Sequence, residues 1–173
     1  MNMMNPKIKE THEEASIVRF LTLFNNLSGN NFAFLRLGDP NKREPDGICD
    51  NSTAIELVGA YDNQYQANKM WSEARGKKQN KPVELRLLTF ESLETVIASK
   101  LEKLNQGKYS GFRGRLLLLC NLHSPLLTDA DVANFQTKYT PFKQDNHFKQ
   151  YFDEIWITWK SEKDGNWQIK LLE

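Results

Sequence analysis

Two acidic residues in one short stretch are the residues best placed to do chemistry. The stretch is EPDGICDNSTAIELVGAY, residues 44–61, in which Asp46 follows a proline and Glu56 lies inside an apolar run. A carboxylate inside a buried strand is costly unless it is paired or bound to a cation. Glu56 therefore either faces water from a half-exposed strand or has a partner, and the sequence leaves both interpretations open.

The two acids meet if the chain between them forms a hairpin that ends near Asp46 and returns through residues 54–58. Two carboxylates from neighbouring strands, with a backbone carbonyl, form an oxygen-rich site that suits a hard divalent cation. Mg²⁺ in such a site would polarise a phosphate and activate water for phosphodiester hydrolysis. The alternative for Pro45-Asp46-Gly47 is an ordinary turn, which these three residue types favour.

Composition and charge limit the class of protein. The chain has 173 residues and a net charge of +1, so we expect one domain, residues 1–173, without a general attraction to nucleic acid or membranes. The longest apolar run, residues 116–120, is too short to cross a bilayer, and the start of the chain has no signal-peptide core. We therefore predict a cytoplasmic protein with no membrane partner, in which Cys49 and Cys120 are buried free thiols.

Hydrophobic periodicity predicts three main helices and six strands. Apolar residues recur at helical spacing in residues 11–28, namely Ile17, Phe20, Leu21, Phe24 and Leu27. The predicted helices are 11–28, 89–107 and 128–139, with Thr11, Thr89 and Thr128 as N-caps, and a short helix in 146–152. The predicted strands are 32–37, 53–60, 83–88, 115–121, 153–159 and 167–172, whereas 62–81 is either helix or loop. This order predicts an α/β sandwich with a central mixed sheet.

The acidic pair has a recognisable context. Pro45-Asp46, a nine-residue spacer and Glu56-Leu57-Val58 resemble the Pro-Asp…(Asp/Glu)-x-Lys core of the restriction-endonuclease-like superfamily. HEEASIVRFL resembles the first helix of that family, and KLEKLNQGKYSGFRGRLLLLCNL and YFDEIWITW resemble later elements of its small members. The resemblance covers residues 11–160.

The resemblance implies a fold and an activity. The fold is a restriction-endonuclease-like three-layer sandwich, and the activity is that of a nuclease that uses Mg²⁺ or Mn²⁺ on DNA or RNA and leaves a 5′-phosphate. Asp46 and Glu56 would serve as metal ligands and catalytic residues. Glu14 would support the metal from the first helix, and Glu13 could serve in its place.

One position departs from the family pattern, since Val58 stands where the family has lysine. In one explanation another side chain replaces the amine; the candidates are Lys100 and Lys69, with Gln64 and Gln66 as uncharged ones. In the other explanation the site is degenerate, and the protein is a non-catalytic module that binds nucleic acid or protein. Loss of a charged contact to the transition state commonly costs about two or three orders of magnitude in rate.

Basic residues cluster in two segments. Arg75, Lys77, Lys78 and Lys81 form one cluster, Lys108, Arg113 and Arg115 form the other, and Tyr65, Trp71 and Tyr109 lie among them. Cations interleaved with aromatic rings suit a surface that follows a nucleic-acid backbone, although a charge run is more often a solvated face.

Three tryptophans, Trp156, Trp159 and Trp167, lie near the C-terminus at strand spacing or on a partner strand. They predict either core packing or the contact face of a homodimer.

Overall fold

Six strands form one sheet in the computed structural model, which describes residues 6–61, 88–144 and 148–173. The strands are β1 (Phe34–Leu37), β2 (Gly47–Cys49), β3 (Thr53–Tyr61), β4 (Arg115–His123), β5 (Glu154–Lys160) and β6 (Trp167–Leu171). The helices of the described residues are α1 (Pro6–Ser28), α2 (Phe90–Asn105) and α3 (Asp129–Lys138). Short 3₁₀ turns occupy Pro40–Lys42 and Phe142–Gln144.

The strands lie in the sheet in chain order, and the sheet is mixed. The three central strands, β3, β4 and β5, are parallel, while β1, β2 and β6 pair in antiparallel fashion at the two sides. Parallel neighbours need long crossover connections. The chain segments that join these strands contain α2 and α3, and both helices pack on the same face of the sheet.

Helix α1 covers the opposite face. Its side chains Ile17, Phe20, Leu21 and Phe24 are buried against those residues of the central strands that point toward α1. These strand residues include Ile55, Leu117 and Trp156. The Phe24 and Trp156 rings meet edge to face with centroids 5.4 Å apart. The larger core cluster lies on the other face, where Leu93, Ile97 and Leu101 of α2 and Val132 and Phe135 of α3 join residues of β3, β4 and β5. Helix α2 packs on β3. Helices thus flank both faces of the sheet, which is compatible with a three-layer sandwich.

These findings confirm the predicted α/β class and mixed sheet. Thr89 and Thr128 cap their helices as predicted: Thr89 Oγ1 accepts from Ser92 N at 3.2 Å, and Thr128 Oγ1 accepts from Asp131 N at 3.1 Å. Cys49 and Cys120 are buried free thiols. Trp156 and Trp159 are core residues, and the homodimer stays a prediction.

Several predicted boundaries were wrong. Within the described residues α1 begins at Pro6, so Thr11 lies inside the helix, where its hydroxyl donates to the Lys7 carbonyl at 2.8 Å instead of capping. Leu27 is 67% exposed and does not belong to the core stripe. Residues 148–152 are not helical, and strand β2 was missed because three residues give too short a pattern. The predictions for 62–81, for 83–87 and for 145–147 fall outside the described residues.

No helix in the part of the chain that the structure describes has the length and apolarity needed to cross a lipid bilayer.

Candidate functional site

Glu56 is a buried acid with three hydrogen-bond partners. It lies in the middle of β3, where Ile55 and Leu57 point toward α1, so the Glu56 side chain points toward α2. The side chain forms an ion pair with Lys100 through Oε1, which also accepts from the Tyr109 hydroxyl at 2.9 Å. The other oxygen, Oε2, accepts from the backbone N–H of Asp46 at 3.2 Å. Glu56 therefore does not face water, and its burial is offset by partners.

Asp46 lies beside Glu56, as the predicted hairpin requires. In the β2–β3 pairing Gly47 stands opposite Ile55, so Asp46, one residue earlier, comes next to Glu56. The Asp46 Oδ2 atom accepts from the backbone N–H of Leu57 at 2.8 Å. Among the described residues no group is seen to bond Oδ1, and the side chain is half-buried. The two acids thus lie side by side, Glu56 within β3 and Asp46 immediately before β2.

The loop that carries Asp46 is held in place on two sides. Arg36 on β1 makes a bidentate ion pair with Glu44, with N–O distances of 2.6 and 3.0 Å. Nearby, Gly38 N donates to the Asp46 carbonyl at 2.9 Å. On the other side Gly111 N donates to the Arg43 carbonyl at 3.0 Å. The segment after α2 therefore packs directly on the loop before β2, and it brings Tyr109 to Glu56.

Lys100 brings an amine to Glu56 from another element of the fold. It lies on α2 between the buried residues Ile97 and Leu101, and its side chain is 14% exposed. Val58 is on the same face of β3 as Glu56, because strand residues two apart share a face. Of the proposed replacements for the missing lysine, the structure places Lys100 at Glu56, while Lys69, Gln64 and Gln66 lie outside the described residues.

Helix α1 contributes Glu13 and not Glu14 to this region. Glu14 is exposed. Glu13 forms an ion pair with Lys9 at 3.2 Å, and its pKa is raised by burial and by the nearby charge of Asp46. Of the two acids of α1 predicted as alternative metal ligands, Glu13 is close enough to Asp46 for their charges to interact, whereas Glu14 is exposed.

The pKa values of the acids are linked through their charges. Burial and the negative charge of Asp46 raise the pKa of Glu56, against the opposing effect of Lys100. Burial, together with Glu56, also raises the pKa of Tyr109, so its hydroxyl stays protonated as the donor. Burial opposes ionisation of Lys9, but Glu13, Asp46 and Glu56 together raise its pKa. Acids whose pKa values are raised in a cleft are frequent in functional sites.

The donor set suits a weakly held, hard cation. In residues 6–61, 88–144 and 148–173 no group of three or more His, Cys, Asp or Glu side chains is arranged to hold a metal ion. Mg²⁺ is usually bound through one or two carboxylates and completed by water and substrate phosphates, so Asp46 and Glu56 are a sufficient protein contribution.

The basic residues predicted to bind nucleic acid fall into three groups: exposed residues, a residue in an ion pair, and residues outside the described part of the chain. Lys108 and Arg113 are exposed on the segment that carries Tyr109, and the loop packed against it adds Lys42 and Arg43, which sequence reasoning missed. Arg115, by contrast, forms an ion pair with Glu154. The other predicted cluster, Arg75, Lys77, Lys78 and Lys81, lies outside the described residues, as do Tyr65 and Trp71.

Tyr109 was predicted as an aromatic ring on a nucleic-acid surface, and this was wrong: the ring is buried and its hydroxyl holds Glu56. The sequence carried no signal for that contact, which depends on how residues 107–114 pack after α2.

Comparison with protein-family models, with curated proteins and with solved structures found no match to this chain.

Proposed function

We propose that the chain is a divalent-metal-dependent nuclease with a restriction-endonuclease-like arrangement. The observation that carries the proposal is the meeting of Asp46, Glu56 and Lys100, in which the Asp46 N–H and the Lys100 amine both donate to the Glu56 carboxylate. That family has two carboxylates on neighbouring strands and an amine on the same strand as the second carboxylate. Here the amine comes from α2, across the face that Val58 shares with Glu56.

Each side chain has a role in this proposal. Asp46 through Oδ1 and Glu56 through Oε2 would hold Mg²⁺ or Mn²⁺, which when bound polarises the phosphate and lowers the pKa of water. Lys100 would place its positive charge beside the phosphate as negative charge builds up on the oxygens. Water adds to phosphorus as the P–O3′ bond breaks, the leaving oxygen takes up a proton, and the products carry a 5′-phosphate and a 3′-hydroxyl.

The four exposed cations on the two packed loops, Lys42, Arg43, Lys108 and Arg113, support a nucleic-acid substrate. Lys42 and Arg43 lie on the loop before Asp46, and Lys108 and Arg113 lie on the segment that carries Tyr109. Cations on such loops can hold a phosphate backbone without reading its sequence. The nucleic acid is DNA or RNA, since backbone contacts of this kind serve both.

A second function competes with the first, namely a non-catalytic binding module on the same fold. The observation in its favour is that both oxygens of Glu56 already accept hydrogen bonds from protein groups. Metal binding through Oε2 would have to share or displace the Asp46 N–H.

A cleavage assay separates the two functions. Single- and double-stranded DNA and RNA are offered to the wild-type protein with Mg²⁺ or Mn²⁺, beside Asp46→Asn and Lys100→Met. We expect cleavage by the wild type that EDTA abolishes and that each substitution lowers by about 100-fold or more, the usual effect of losing one charged transition-state contact. Wild-type cleavage no faster than that of Asp46→Asn would retire the nuclease and leave the binding module.

A further inference from the structure

A cavity of about 390 Å³ opens between α1 and the carboxyl ends of β3 and β4, within the 300–1,000 Å³ range of small-ligand sites. Its walls include Arg19 from α1, Tyr61 from β3, Asn121 and His123 from β4, and Trp167 from β6. Gly59 lies opposite Asn121 in the β3–β4 register, and a methyl group added there would come within 2.5 Å of the Tyr61 ring. A side chain at residue 59 would therefore displace the Tyr61 ring, which lines the cavity.

Two polar atoms in the cavity walls have unmet hydrogen-bonding capacity. Asn121 is 7% exposed, and its Oδ1 atom has no hydrogen-bond partner among the described residues. The same holds for the Nε–H of Arg19. A buried polar group without a partner costs free energy, so such groups in a native protein call for an explanation. Both residues line the same cavity, and a ligand that satisfies this acceptor and this donor must present the opposite pair.

Flat rings line the same space. Tyr61 and His123 are stacked with centroids 4.9 Å apart and planes 15° apart. The Arg19 guanidinium lies 3.7 Å above the centre of the Trp167 ring. Burial, helped by Arg19 and His12, lowers the pKa of His123 to about 4, so its imidazole is neutral at pH 7. Stacked aromatic and guanidinium planes favour a flat ligand.

Polar atoms of the wall indicate the chemistry of the ligand more closely than net charge does. Lys9 and Glu13 both line the cavity and neutralise each other in an ion pair, and Arg19 adds a positive charge. The orphan oxygen of Asn121 would repel a phosphate or carboxylate oxygen. A neutral ring with both donor and acceptor atoms along one edge meets all these conditions, and nucleobases are rings of this kind.

We propose that this cavity binds the base of a nucleotide, with Asn121 accepting from the base and Arg19 donating to it. This inference rests on the proposed function and deepens it, because the cavity adjoins the acidic pair. Leu57 lines the cavity, and its N–H donates to Asp46 at 2.8 Å. A base that has left the stack of neighbouring bases would thus lie next to the phosphate at the acids and Lys100.

The test is calorimetric titration of the full chain, without divalent cation, with each nucleoside 5′-monophosphate and with ribose 5-phosphate as the base-free probe. We expect at least one monophosphate to bind at least ten times more tightly than ribose 5-phosphate. Asn121→Leu, which is similar in size but has no acceptor, should lose at least tenfold in affinity. Its Tm should not fall, because the substitution removes an unpaired buried polar atom.

Two further variants keep the outcomes distinct. Arg19→Met removes the donor on a partly exposed helix position, and it should also lose at least tenfold in affinity. Lys103→Met, which changes an exposed lysine of α2, should bind monophosphates as the wild type does. The titration contains no divalent cation, so failure of the base site does not depend on failure of the nuclease. Equal binding of ribose 5-phosphate and the monophosphates, or unchanged affinity in both Asn121→Leu and Arg19→Met, would overturn the base site.

Discussion

Lys100→Met will lower the free energy of unfolding by about 3 kcal/mol, near the lower end of the range for breaking a buried ion pair. The Lys100 and Glu56 side chains are only 14% and 6% exposed, so removal of the amine leaves a buried carboxylate without a counter-charge. The Tyr109 hydroxyl and Asp46 N–H still donate to Glu56, which keeps the loss below the upper end of that range. Urea unfolding at fixed pH measures the effect.

The loss in Lys100→Met will depend on pH. The pKa of Glu56 is already raised in the folded protein, and without Lys100 it rises further. An acid whose folded pKa exceeds its unfolded value stabilises the fold most below the unfolded pKa, and this contribution is lost as the pH rises through the folded pKa. The variant should therefore be closer to the wild type at acid pH than at pH 8.

Two control variants test whether the loss of stability comes from the Lys100–Glu56 ion pair. Lys103→Met changes an exposed lysine of the same helix and should shift stability by no more than about 0.5 kcal/mol. Glu56→Gln/Lys100→Met removes both charges and should recover at least half of the loss. If Lys100→Met is as stable as Lys103→Met at pH 8, the buried pair is not formed in solution and the role given to Lys100 is wrong.

Gly111→Ala should strongly destabilise the loop that carries Asp46. A Cβ at Gly111 would lie 1.7 Å from the carbonyl oxygen of Lys42, which is backbone and cannot rotate away. The two packed loops must then separate, and the loop that carries Asp46 moves with them. We expect a loss of about 3 kcal/mol or more, as for other severe steric changes, together with loss of any cleavage activity.

Gly29→Ala is the matched control for Gly111→Ala. Gly29 has a φ of +71°, so alanine there is strained, yet a Cβ would have no atom within 4 Å. The cost should be limited to the backbone strain of about 1–2 kcal/mol. Thermal unfolding and the cleavage assay measure both variants. Equal stability and activity of the two would show that the loop contact at Gly111 does not hold the site.

The sequence predicted the elements that carry long apolar patterns and missed those set by packing. The β3 and β4 segments are buried and β-branched or leucine-rich, so their patterns were clear, and Glu56 stood out as an acid inside one of them. Strand β2 has only three residues, and its pairing with β3 depends on a loop held by Arg36, Glu44 and Gly111. No local pattern encodes such contacts.

The sequence predicted only those site residues whose positions depend on local structure. The spacing of Asp46 and Glu56 follows from one hairpin, which is local in sequence. Lys100 and Tyr109 reach Glu56 across 44 and 53 positions of the chain, so only the packing of α2 selects Lys100 from the other lysines. The choice between Glu13 and Glu14 likewise depends on how α1 is rotated on the sheet. Asn121 did carry a signal, as a polar residue that follows an apolar run in β4.

The most direct test of the acidic pair as a metal site is Mn²⁺ titration followed by electron paramagnetic resonance, which reads free Mn²⁺. We expect the wild-type protein to bind Mn²⁺ and Asp46→Asn to lose at least tenfold in affinity. Glu14→Gln, which alters an exposed acid of α1, should bind Mn²⁺ as the wild type does. Absence of Mn²⁺ binding by the wild type, or equal binding by Asp46→Asn, would contradict the central claim that Asp46 and Glu56 together hold a divalent cation.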